Sequence, residues 1–252
     1  MPVSAVLCRI AFGRLFPNLA KLHLLSDFFL IVQSKFSSVF EPTQNRFSMR
    51  FFLSLCAVFW LFAAIGGVIY LARYENTPAE KNNSYPSVFP PESRIERDAG
   101  RLTLVFFAHP KCPCTRASLR ELSRLMTEVD DKLQVFVVFN KPRDESGGWT
   151  ETDLRESAEA IPNARVLIDE NERETDIFNA RTSGLALLYD REGNLRFNGG
   201  ITASRGHEGD NAGRNAIFEI VTKEADKTAE TFVFGCSLQN EDYPKELMQN
   251  AQ

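Results

Sequence analysis

The 252-residue chain has room for one ordinary domain plus further segments, and its composition (44% hydrophobic, 25% charged, net charge -4) is that of a folded protein. Charge is unevenly spread: six basic and two acidic side chains fall in the first 50 residues, 23 basic and 31 acidic in the remainder. An acidic body excludes a nucleic-acid binder, because phosphate contacts need a basic face.

Residues 1–50 hold short apolar bursts such as LLSDFFLIV, broken by Asp27 and too short to span a bilayer. They are expected to form a cytoplasmic N-terminal segment. Met49, followed by Arg50 and a long apolar run, has the makings of a signal anchor, so Met49 is an alternative translation start. From Phe51 to Ala72 the chain reads FFLSLCAVFWLFAAIGGVIYLA without a charge. As a helix this stretch covers roughly 33 Å, enough to cross the hydrocarbon core. Arg46 and Arg50 precede it, whereas Arg73 and Lys81 beyond it are offset by Glu75 and Glu80. That bias predicts an N-terminus inside and an exported C-terminal part, with residues 51–72 retained as the anchor.

Residues 73–98, with Pro78, Pro86, Pro90 and Pro91 among polar and charged residues, read as a partly extended linker. A domain follows over 99–252. LTLVFFA (102–108) and LQVFVVF (133–139) are continuous apolar runs suited to strands covered on both faces. Between them, Leu119, Leu122, Leu125, Met126 and Val129 share one face of a helix. A helix near 152–160, a strand over 164–169 and a short helix over 175–180 come next. LALLYD and LRFNGG flank a turn at Arg191–Asn194 and predict a hairpin, and a last amphipathic helix covers about 212–225. This order predicts an α/β domain with a central mixed sheet and flanking helices.

Of five cysteines, Cys8 precedes the apolar run and Cys56 lies within it, leaving Cys112, Cys114 and Cys236 on the exported side. An odd number in an oxidising compartment leaves one thiol free, reactive, metal-bound or joined to a partner. Cys112 and Cys114 fall between the first strand and the first helix, where α/β sheets place their chemistry. Pro113 restricts Cys112 to extended conformations and suits the first helical turn, which puts Cys112 at a helix entrance that favours a thiolate. His109, Lys111 and Arg116 are expected to add donors and positive charge there.

Cys236, in Phe-Gly-Cys-Ser, can return to the motif as a resolving thiol or third ligand; the competing expectation is a small buried hydrophobe. His207 lies in the Gly-broken polar stretch 204–211. It is a candidate acid/base group or metal ligand, unless Asp210 or Asn211 merely caps the last helix and His207 is a solvated side chain.

FFAHPKCPCTRASL, TSGLALLYDREGNLRFNGGITASRGHEGDNAG and FVFGCSL together resemble the RedB-type thioredoxin-like proteins of bacteria, related to the TlpA-type membrane-tethered thiol oxidoreductases. The resemblance covers roughly residues 100–238. It implies a thioredoxin-like fold behind one transmembrane helix, in a bacterial inner-membrane protein with its C-terminal domain in the periplasm. The leading expectation from these residues is thiol-disulfide exchange without a cofactor. The Cys112 thiolate attacks a disulfide or oxidised thiol of an exported partner protein, Cys114 or Cys236 resolves the mixed disulfide, and a reducing role would require electrons from a membrane thiol donor. Cys112, Cys114 and Cys236 are then the catalytic candidates, supported by His109, Pro113, Thr115, Ser183, Gly184 and His207.

Two departures stand out. Thioredoxins carry Cys-x-x-Cys where this chain has Cys112-Pro113-Cys114-Thr115, and Thr182-Ser183-Gly184 replaces their cis-proline stretch. The alternative function is binding or delivery of copper or zinc through Cys112, Cys114, Cys236 and His207, a set of soft donors.

Overall fold

The computed structural model describes residues 46–80, 84–145, 147–223 and 227–238. Cys8 and most of the expected N-terminal segment lie outside them. The chain divides into two compact units, 1–65 and 66–252. Helix α1 runs from Arg46 to Asn76, and its stretch Met49–Asn76 is long and apolar enough to cross a membrane, with a mean hydropathy of 2.4 in its most apolar window. None of that window is buried within the protein, which separates it from the core helix of a globular domain.

The domain contains β1 (Leu102–Ala108), α2 (Pro113–Val129), β2 (Leu133–Lys141), α3 (Asp153–Glu159), β3 (Ala164–Glu170), α4 (Arg173–Ile177), β4 (Leu185–Tyr189), β5 (Leu195–Gly200), α5 (Ala212–Lys223) and β6 (Ala229–Glu230). Their order in the single sheet is β3-β2-β1-β4-β5-β6. β1, β2 and β3 pair in parallel, as the two helical crossovers require, whereas β4 runs antiparallel to both β1 and β5.

Both predicted apolar runs are buried end to end, and their alternate residues face opposite layers. On one side Leu104, Phe106, Val135 and Val137 pack with Leu122 and Leu125 of α2, Leu154 of α3 and Ile217 of α5. On the other, Val105, Phe107, Val138 and Leu187 meet Phe178, Phe89 and Ile95. Among the described residues, no long helix contributes to that second layer. Residues 84–98, whose proline content suggests a tether, supply much of the cover. Phe89 sits edge-on to Phe178 and Tyr189 at 5.4 and 5.1 Å, and Val88 bridges to Asn194. The segment is fastened by the buried carboxylate of Glu174, which accepts from the Ser93 hydroxyl at 2.6 Å and the Arg94 amide at 3.0 Å. Prolines keep the segment extended, and its few apolar side chains dock it.

Candidate active site

Pairing in the sheet assembles the site. The antiparallel β1–β4 register carries the start of β4 to the end of β1, where the Gly184 amide donates to the Phe107 carbonyl at 2.8 Å. Gly184 adopts φ +93°, a backbone region costly for other residues. Beyond β1 the Cys112 amide closes a turn onto the His109 carbonyl at 3.2 Å, and Pro113 opens α2, where its missing N–H costs nothing. Cys112 thus stands at the N-terminus of a 17-residue helix, 1% exposed, with Cys114 half-buried one residue on.

The tail closes the site from the other side. The Ser183 amide donates to the Cys236 carbonyl at 2.8 Å, and Thr182 bridges antiparallel to Ser237. Cys236 is thereby placed so that its thiol and its backbone amide both donate to the Cys112 sulfur, as do the hydroxyl and amide of Thr115. The Thr115 hydroxyl meets that of Ser183 at 2.8 Å, and Ser183 Oγ accepts the His109 amide at 2.9 Å. With the Thr115 proton on sulfur, the chain runs His109 N–H to Ser183, Ser183 O–H to Thr115, and Thr115 O–H to Cys112.

Electrostatics follow from these donors. Above all, the Cys236 thiol donating to Cys112, then the Cys236 amide and Thr115, hold the Cys112 thiol down at about 5 from an ordinary 9.0, against the opposing effect of burial. Cys236 is pushed up because its proton serves Cys112, and burial adds to this. Cys114 is raised by burial and by the negative charge on Cys112, with Arg205 acting the other way. Cys112 is therefore the thiolate of the three, and the other two keep their protons.

The positive charge at this mouth is Arg205. Its guanidinium hydrogen-bonds Cys114, donates to the Gly235 carbonyl at 2.5 Å and lies 5.1 Å from the Tyr74 ring centroid. The cations expected from the sequence are engaged elsewhere: Lys111 sits 3.6 Å over the Trp149 ring, and Arg116 pairs with Asp153. His109 stacks edge-on to Trp149, its Nδ1 accepts the Lys111 amide at 3.1 Å, and burial lowers its pKa, so it is a packing and hydrogen-bonding residue. Arg205 sits 91 positions beyond Cys114 in a turn-rich stretch, and no local pattern marks it as a neighbour of the thiols.

His207 is exposed, and its amide donates to the Ser204 carbonyl at 3.3 Å. Its neighbours serve structure: Glu208 pairs with Arg120 at 2.6 Å, and Asn211 caps α5 through the Arg214 amide at 2.8 Å. Among the described residues, no group of three or more His, Cys, Asp or Glu side chains is placed to hold a metal ion, so the set Cys112, Cys114, Cys236 and His207 does not come together as a ligand sphere. Cys56, Cys112, Cys114 and Cys236 are all free thiols. A cavity of about 470 Å³ beside the tail, lined by Thr202, Ala212, Phe232 and Phe234 among others, includes no cysteine.

A parallel β-α-β unit joined to an antiparallel hairpin and a terminal helix, with a cysteine opening the first helix, defines a thioredoxin-like fold. No protein-family model matches the chain, and no curated protein matches it in sequence. Among solved structures it is similar to an uncharacterized conserved protein from Geobacillus kaustophilus (16% identity, 68% of this chain and 96% of that one, TM-score 0.48). It is also similar to a hypothetical protein from Sinorhizobium meliloti 1021 (20% identity, 62% and 95%, TM-score 0.48). A third is the pneumococcal exposed lipoprotein thioredoxin of Streptococcus pneumoniae (22% identity, 50% and 87%, TM-score 0.37).

Proposed function

We propose that this chain is a membrane-anchored thiol-disulfide oxidoreductase of the RedB type, acting in the periplasm on the thiols or disulfides of partner proteins. The observation that carries this reading is the convergence of donors from Cys236 and Thr115 on the sulfur of Cys112 at a helix N-terminus. A nucleophilic thiol needs stabilisation of its anion, and this arrangement supplies it.

In the reducing direction, the Cys112 thiolate attacks one sulfur of a partner disulfide. The partner S–S bond breaks, a mixed disulfide forms, and the first partner thiolate leaves and takes a proton. With Cys112 no longer anionic, Cys236 gives up its proton and its sulfur attacks Sγ of Cys112. That step forms the Cys112–Cys236 disulfide and releases the second partner thiol. Two electrons have passed to the partner, and a dithiol donor must return two for another turnover. Cys114, beside Arg205, is the second candidate for the resolving step.

Helix α1 supports the anchor, and the basic residues preceding it support an exported domain. The test is reduction of a protein disulfide by the full chain in detergent, in the presence of a dithiol, comparing Cys112→Ser, Cys114→Ser and Cys236→Ser. Loss of turnover with Cys112→Ser, and accumulation of a mixed disulfide at Cys112 with Cys236→Ser, are expected. Undiminished turnover in the Cys112 variant overturns the reading.

A further inference from the structure

A nucleophile that is 1% exposed cannot meet a partner sulfur in line, so what covers Cys112 decides when it reacts. The chain's own tail closes one side of Cys112, where Cys236 meets its sulfur. Gly235–Leu238 lies along residues 181–183 as an added strand: the Ser183 amide donates to Cys236 O and the Leu238 amide to Arg181 O, both at 2.8 Å, around the Thr182–Ser237 bridge. Further fastenings hold both ends. Asn140 Nδ2 donates to Leu238 O at 2.9 Å, the Leu238 side chain is 1% exposed in the second core layer, and Arg205 holds Gly235 O. The fit is close enough that a Cβ at Gly235 would lie 1.8 Å from Ser183 O.

The outward-facing Ser183 N–H and Arg181 C=O are the groups an extended partner segment beside Cys112 would pair with, and both are already used internally. We propose that the Gly235–Leu238 segment is a strap that occupies this strip as an internal stand-in for a partner segment, and that it must lift before a protein partner reaches Cys112. This rests on the oxidoreductase reading and adds its gate. The strap also carries the resolving thiol, so its return after capture of the partner delivers Cys236 to the mixed disulfide. Opening admits the partner, and closing ejects it. The apparent rate with a protein segment is then reduced by the fraction of molecules whose strap is up, whereas a small disulfide reaching Cys112 through limited fluctuations is restrained much less.

The test uses the full chain in detergent and two probes: dithiodipyridine, and an extended peptide whose single cysteine carries a thiopyridyl group. Reaction at Cys112 is followed by acid quench, alkylation of the remaining thiols and mass spectrometry of the Cys112 peptide. Leu238→Asp, which places a charge in the buried anchor position, is expected to raise the ratio of the peptide rate to the small-probe rate about tenfold or more, because the closed fraction falls. Ser237→Ala, at an exposed position of the same segment that keeps the backbone pairing, is expected to leave that ratio within about twofold of the wild type. A ratio unmoved by Leu238→Asp refutes the strap.

Should Leu238→Asp fail to fold, hydrogen exchange decides. In a Cys114→Ser, Cys236→Ser chain charged with the peptide at Cys112, the amides of Ser183 and Leu238 are expected to lose the protection they show before charging. Protection retained with the peptide attached overturns the strap. If dithiodipyridine itself leaves Cys112 unmodified in every variant, the oxidoreductase reading fails instead.

Discussion

Replacing Cys236 with alanine removes the strongest donor to the Cys112 sulfur while leaving the residue 236 amide and Thr115 in place. A hydrogen bond to a charged group contributes about 1.5–3 kcal/mol. At about 1.4 kcal/mol per pKa unit, its loss moves the Cys112 thiol upward by roughly one to two units. Starting from about 5, the inflection should then appear between about 6 and 7. The assay is the rate at which iodoacetamide, small and neutral, modifies Cys112 between about pH 4 and pH 9, read by mass spectrometry of the Cys112 peptide in a Cys114→Ser background. Burial and the tail slow every variant, but they scale the rate and leave the position of the inflection alone. Cys236→Ser retains an O–H donor and should fall nearer the wild type than Cys236→Ala does. An inflection at the same pH in wild type and Cys236→Ala would show that the donated thiol proton does not stabilise the anion.

Stability should depend on pH through the same sulfur. Because the Cys112 pKa is depressed in the folded state, its contribution is fully present above about pH 9, shrinks as pH falls, and is gone below about pH 5. Urea unfolding under reducing conditions should therefore show the gap between wild type and Cys112→Ser closing as pH falls across that window; a gap independent of pH contradicts the assignment. Gly235→Ala forces a methyl onto the Ser183 carbonyl and should cost about 1–3 kcal/mol in the same urea titration, with no measurable loss counting against the close approach. Phe89→Ala empties the ring cluster formed with Phe178 and Tyr189 and should cost about 3–5 kcal/mol by thermal melting; a loss under about 1 kcal/mol would mean that the segment bearing Phe89 is not docked.

The sheet and its helices were legible because local signals agree with the tertiary arrangement. LTLVFFA and LQVFVVF carry no interior polar break long enough for a turn, and the Leu119–Val129 pattern admits only a one-sided helix. Cys112 and Cys114 were legible for a related reason: a strand-to-helix junction is a position that the chain order itself reveals. What stayed hidden depends on partners far apart in sequence. Phe89 and Ile95 are lone apolar residues among prolines, and without the sheet face they cover they look like a spacer. Arg205 reads as one charge in a polar loop until the tail turns back beneath it. His207 shows the converse: its surroundings are rich in functional residue types, yet Glu208, Asp210 and Asn211 are spent on holding α2 and α5 in place.

The docking of residues 84–98 bears on how a soluble version of this protein can be made. Excision at residue 99 would strip Phe89 and Ile95 from the second layer, uncover the rings of Phe178 and Tyr189, and leave the Glu174 carboxylate buried without Ser93 and Arg94. Such a fragment would carry an aggregation-prone aromatic face and an uncompensated charge. Severing the chain upstream of Ser84 keeps that lagging intact.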